Sequence, residues 1–201
     1  MQLNDAMNLV IPLRSDDRGV QVYGYHTPIS REVFEANFMI LAATRATMAA
    51  KGVQFMMGSG PSVAALILKD EAKKDAESRG DFDDEGKPSD RAAKALLAEL
   101  KRLTTLVAPG PNGWDMIPVE AALSKGIIDA DDWREAESAL VFFTCHYALA
   151  KRAERALVVP ATARVLTGLN TSSTLSEFVN SLQTSMQAET SAQAAGSSVP
   201  S

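Results

Sequence analysis

The sequence predicts a mainly α fold: a multi-helix single domain with an N-terminal β-hairpin and a disordered C-terminal tail. Three observations lead there. Apolar residues recur at helical spacing through most of residues 30–182. A period-2 stretch occurs near the start, at Val20-Gln-Val-Tyr-Gly-Tyr25. From Gln183 onward the chain is mostly Ser, Thr, Ala, Gln and Gly with one charge, Glu189, too little apolar surface to offset its ordering entropy. The domain is expected over 1–182, with the hairpin at about 7–28 and helices from about 30, and the tail over 183–201.

The hairpin pairs the β-branched run Asn8-Leu-Val-Ile-Pro-Leu13 with Val20–Tyr25 across the polar turn Ser15-Asp-Asp-Arg-Gly19. Pro12 has no N–H for a ladder, so its strand should be an edge or end near there. Ser30 is placed to cap a helix over Arg31–Lys51, with Phe34, Phe38, Leu41 and Met48 on one stripe and Val33, Ile40 and Ala43 beside it. Gly58-Ser-Gly-Pro61 breaks the chain. A second helix should open at Pro61 or Ser62 and end at Gly80, its apolar first half buried and its polar second half solvated. Ser89 or Asp90 then caps a helix running to about Val107, striped by Leu96, Leu97, Leu100, Leu103 and Leu106. Ala108-Pro-Gly-Pro-Asn-Gly113 stops it.

Pro118–Lys125 reads as a short helix closed by Gly126. The longest helix is expected over about Asp131–Leu157, acidic at its start and carrying Lys151, Arg152 and Arg155 at its end, as the helix dipole favours. Its middle, Ala139-Leu-Val-Phe-Phe-Thr-Cys-His-Tyr-Ala148, is apolar nearly all round and suits the centre of a core. Pro160–Leu169 reads as a short helix and Asn170–Thr174 as a connection. Leu175, Phe178, Val179 and Leu182 then share one face of a last helix.

Composition narrows function. The chain has 201 residues and a net charge of −5, so binding nucleic acid through bulk electrostatics is disfavoured. No apolar run approaches the ~20 residues of a membrane span, and the N-terminus lacks a signal-peptide pattern. One cysteine, Cys145, leaves no internal disulfide, and two histidines, His26 and His146, leave little material for zinc or general-base chemistry.

Each candidate for chemistry has a plainer alternative. Asp81-Phe-Asp-Asp-Glu-Gly86 imitates the start of a calcium loop, but the twelfth position is Ala92 rather than a bidentate glutamate, so a solvated connector is the better reading. Cys145 and His146 are adjacent on a helix and point ~100° apart, which prevents a thiolate–imidazole pair. Gly58-Ser59-Gly60 lacks the first glycine of a nucleophile elbow and the lysine of a phosphate loop. Met39, Met48, Met56 and Met57 suit either an adaptable partner surface or ordinary core. Trp114 and Trp133 suit either partner anchors or the closing of joints between helices. The expected sites are therefore none catalytic, none for a cofactor and none for a metal, and the protein is expected not to be an enzyme.

The order of segments resembles a family. Thr27-Pro-Ile-Ser-Arg-Glu-Val-Phe34, Gly60-Pro-Ser-Val-Ala-Ala-Leu66, Leu96–Thr104, Gly113-Trp-Asp-Met-Ile-Pro-Val-Glu-Ala-Ala122, Gly126–Asp132, Glu137–Thr144 and Ser172–Leu182 together resemble the tail assembly chaperones of long-tailed bacteriophages, over about residues 7–185. The resemblance implies a soluble, non-enzymatic helical protein of the host bacterial cytoplasm, absent from the mature virion. Its implied partners are the phage tape-measure protein and the tail-tube protein, and self-association is compatible with it. No nucleic acid or membrane is expected as partner. By the same resemblance, the tail marks where a frameshifted longer form would begin. The competing reading is a structural virion component, a tail or head–tail connector protein.

Overall fold

Five strands, all antiparallel, form one sheet in the order β4-β3-β2-β1-β5 in the computed structural model, which describes residues 7–111 and 113–184. In chain order the elements are β1 (Asn8–Asp16), β2 (Gly19–His26), α1 (Arg31–Ala50), α2 (Val53–Met57), α3 (Gly60–Arg79), α4 (Arg91–Arg102), β3 (Thr104–Gly110), β4 (Gly113–Pro118), α5 (Val119–Ser124), α6 (Ala130–Leu149), α7 (Arg152–Val165) and β5 (Leu169–Thr171). A last helix, α8, covers residues 175–184. The described residues are 60% helical and 20% strand. The fold is thus mixed α/β and corrects the expected mainly α class; the N-terminal hairpin is present, but as two strands of five.

The hairpin follows its local chemistry. Asp16 Oδ1 accepts the Arg18 backbone N–H at 2.8 Å, and Gly19 takes the positive φ of +112° that closes the turn. Pro12 does not end β1, which is an interior strand. It pairs with Tyr23 on one side, while β5 reaches only Asn8–Val10 on the other, so Pro12 faces no donor-hungry neighbour there. A register shift between Pro12 and Arg14 absorbs the irregularity.

The sheet extends past the expected hairpin in two places. The expected helix to Val107 ends at Arg102, and Leu106 and Val107 lie in β3. Leu100, Leu103 and Leu106 keep helical spacing by coincidence. From Thr104 onward β-branched residues take over, with Thr104, Leu106 and Ala108 facing one side of the sheet and Val107 the other. The Pro/Gly run that reads as a stop is instead a hairpin reversal, where Gly110 pairs with Gly113 and β4 returns through Trp114 to Pro118. Asn170, expected in a connection, is the centre of β5 and pairs with Leu9.

The two sheet faces carry two cores. On one, Leu9, Ile11, Val22 and Leu106 pack against α1, α3, α4, α6 and α7. On the other, Val10, Tyr25 and Val107 pack against Phe178 and Val179 of α8. Strand alternation explains the split, because neighbouring residues such as Leu9 and Val10 point to opposite faces. The last apolar face predicted from sequence is the one that docks, and α8 is opened by a capping box in which Thr174 Oγ1 accepts the Glu177 N–H while Glu177 Oε2 accepts the Thr174 N–H. Residues 183 and 184 continue α8; the rest of the expected tail lies outside the described residues.

The α6 helix is the central core helix, with every residue from Leu140 to His146 buried. It is shorter than expected. It ends at Leu149, Ala150 turns to an extended conformation at ψ 136°, and α7 begins at Arg152. The charged run Lys151–Arg155 cannot follow an all-round apolar helix through the core, so the chain turns and lays only Val159, Thr162 and Ala163 inward. Pro160, expected to open a helix, lies within α7. Two further expectations change. Phe38 stands 46% exposed while Ile40, Leu41, Thr44 and Met48 form the buried stripe of α1. The second half of α3 is not fully solvated: Ala72 and Ala76 are buried beside Glu71, whose Oε1 accepts from Thr47 Oγ1 and Lys74 Nζ at 2.9 Å each.

Candidate functional site

The residues singled out for chemistry are separated and mostly spent on structure. Asp83 Oδ1 accepts the backbone N–H groups of Glu85 and Lys87 at 3.0 and 2.9 Å, and Phe82 bridges to Pro88. The acidic loop is therefore a small reversal tied by its own carboxylate, and no cluster of three His, Cys, Asp or Glu with metal-holding geometry occurs among the described residues. Cys145 is wholly buried, which pushes its thiol up to about 12, far from thiolate chemistry at neutral pH. His146 donates from Nδ1 to the Phe142 carbonyl at 2.7 Å one turn back, and burial lowers its pKa. Gly58 caps α2 and Gly60 opens α3, buried against the Phe55 carbonyl and the Phe142 ring, so both glycines sit at helix ends.

The tryptophans part company. Trp133 is buried in the joint between α4 and α6, with Lys101 Nζ 5.6 Å from its ring. Trp114 lies on the opposite sheet face, packed against Tyr23 at 5.6 Å beneath α8. Each closes a joint, but Trp114 closes a sheet–helix joint that the sequence did not show.

The methionines split as well. Met48 is fully buried core, and Met39 is 65% exposed on α1. Met56 and Met57 line an apolar groove of about 250 Å³. Its floor is Phe142 and His146 of α6. One wall is α2 with Arg45 of α1, and the other is α7, through Leu157, Val158, Ala161 and Val165. Glycine makes the first wall possible: Gly52 at φ +92° turns the chain out of α1 directly into the single turn of α2. The rims carry large apolar side chains held out in water, with Met57 49% and Leu157 79% exposed. Exposed apolar side chains that are contiguous with a concave apolar floor, rather than scattered singly, are the kind of surface that partners or ligands cover.

The sequence pointed to Met56 and Met57 but missed the α7 wall. The signal is the apolar run Leu157-Val-Val159 just after the charged stretch Lys151–Arg155; only Val159 of the run is buried in the fold. With a core helix expected to about Leu157 and Pro160 opening the next, Leu157 reads as a helix end and Val158 and Val159 as a joint.

No helix among the described residues is long and apolar enough to cross a membrane. Comparison with protein-family models, curated proteins and solved structures returns no match.

Proposed function

We propose that this protein is a non-enzymatic tail assembly chaperone of a long-tailed bacteriophage, covering the tape-measure protein and helping recruit tail-tube subunits in the host cytoplasm. The observation that carries the reading is the groove between α2 and α7, with the exposed Met57 and Leu157 on its rims. A tape measure is a long helical protein whose apolar faces need cover before the tube encloses them, and a methionine-walled groove repacks to accept successive helical segments. The segment resemblance over about residues 7–185 supports the same role. Burial of Cys145 and His26 fits a binding protein better than one doing chemistry of its own.

The test is genetic and compositional. Deleting the gene from its phage should yield filled heads without tails. Mass spectrometry should find the protein in infected-cell lysate, bound to the tape measure, and not in purified virions. Its presence in virions at a fixed copy number would replace this reading with that of a structural tail or connector protein.

A further inference from the structure

The segments that build the groove are poor in carboxylates, although Asp132 and Glu135 line the neighbouring pocket that shares Val165 with it. The protein carries −5 net, yet residues 36–68, spanning most of α1, all of α2 and the start of α3, contain Arg45 and Lys51 and no carboxylate. On α7, exposed Arg164 lies two turns beyond Leu157 on the same line of the helix, Arg155 stacks over the Tyr147 ring at 4.6 Å, and Glu154 is the one carboxylate. Of the described residues lining the groove, Arg45 is the charged one and none is acidic. Arg45 is close enough for its charge to bear on both His146 and Cys145. Phe38 lies two helical turns before Arg45 on the same line of α1 and is itself half exposed, so the apolar surface continues past the groove.

The walls also restrict the form of an occupant. Both are helices, and no strand edge adjoins the groove. An extended peptide would bury its backbone N–H and C=O groups against Met57, Leu157 and Val165 with nothing to pair them. A helix arrives with those groups already paired and presents apolar side chains from one face.

We propose that the groove between α2 and α7 takes an amphipathic helix of a partner protein whose apolar stripe is bordered by carboxylates. This rests on the binding role proposed above and narrows the partner's chemistry. The carboxylates meet Arg45 on one side and Arg164 of α7 on the other, while the apolar stripe covers Met57 and Leu157. The charge pattern governs selection among helices more than total affinity.

Two helix-forming peptides test it, sharing one leucine stripe at helical spacing, one with glutamate and the other with lysine at the flanking positions. Fluorescence anisotropy with the full chain should show the glutamate peptide binding at least about tenfold tighter at low salt, with the gap closing as salt screens the charges. Leu157→Asp should weaken the glutamate peptide about tenfold or more, and Arg45→Glu should narrow the preference. Both residues are exposed, so unchanged melting temperatures will show that the variants are folded. Equal or tighter binding of the lysine peptide overturns the proposal, as does glutamate-peptide binding indifferent to Leu157→Asp. Leu157-dependent binding to anionic phospholipid vesicles, tighter than to either peptide, overturns it in favour of a membrane surface. If the peptides fail while gene deletion still abolishes tails, the partner chemistry falls and the chaperone reading stands. If they succeed while deletion leaves tails normal, the reverse holds.

Discussion

His26 Nδ1 lies 3.0 Å from Thr104 Oγ1, and the two residues are register partners across β2 and β3. The Thr104 hydroxyl donates to the Leu100 carbonyl at 2.8 Å, so its oxygen accepts from His26 and the imidazole proton sits on Nδ1. Nε2 faces the core with no hydrogen-bond partner among the described residues. This chain of bonds ties the middle of the sheet to the last turn of α4.

Acid should therefore destabilise the protein through His26. Burial lowers its pKa to about 3 from an ordinary value near 6.5. The unfolded chain binds a proton below about pH 6.5 that the folded chain refuses down to about 3, so stability is complete above that window and falls as pH drops through it. By pH 5 the loss from this group is about 2 kcal/mol. His146, also lowered by burial, acts in the same direction. Urea unfolding at pH 7 and pH 5 should show the loss, and His26→Phe should remove most of it. An unchanged pH slope in that variant would show that His26 is solvated.

Gly168 and Thr167 should respond in opposite directions. A Cβ at Gly168 would run into the Val10 carbonyl oxygen, where the chain leaves α7 and passes against β1 into β5. Gly168→Ala is expected to cost about 1–3 kcal/mol by forcing that contact apart. Thr167 occupies the left-handed region at φ 52°, costly for a β-branched residue. Thr167→Gly should relieve that strain and gain up to about 1 kcal/mol, reduced by the added freedom of the unfolded chain. Thermal unfolding of the two single variants decides both.

Removing the Phe178 ring should undock α8. The ring meets Tyr23 edge-on at 5.6 Å and Tyr25 at 6.1 Å. Phe178→Ala is expected to cost about 3 kcal/mol. In a Trp133→Phe background the remaining tryptophan, Trp114, should shift its emission to the red as the helix lifts away. An unshifted spectrum would mean that α8 does not shield that face.

Leu157 and Leu140 make a matched pair for the groove. Leu157 is 79% exposed and Leu140 fully buried in α6. Leu157→Ala should leave stability within about 0.5 kcal/mol, whereas Leu140→Ala should cost about 2–5 kcal/mol. A large loss from Leu157→Ala in calorimetry would show that this side chain belongs to the core and not to a rim.

What could be read in the sequence was whatever is encoded within a few residues. The Gly19 turn, the Ser30 cap that accepts the Val33 N–H at 3.2 Å, the αL stop at Gly80 and the apolar face of α8 all depend on near neighbours. β3 and β5 are hidden because their partners β2 and β1 are distant; β4 pairs locally with β3, but the Pro/Gly run between them reads as a stop rather than as a hairpin reversal. Thr104 pairs with His26 and Asn170 with Leu9, and nothing beside either residue announces this. The groove was half legible for the same reason. Met56 and Met57 are conspicuous as a pair, but Leu157 and Arg45 become its lining only when α7 folds back along α6.

The sheet order has a consequence for synthesis. β2 waits 78 residues between His26 and its partner Thr104, about 4–16 s at roughly 5–20 residues per second on the ribosome. β1 gains its second neighbour only when Leu169–Thr171 emerges. An isolated hairpin is marginal in water, so for that interval the nascent chain must shelter two unpaired strand edges against its own helices or a cellular holdase. The sheet closes last, after nearly all of the described chain has left the exit tunnel.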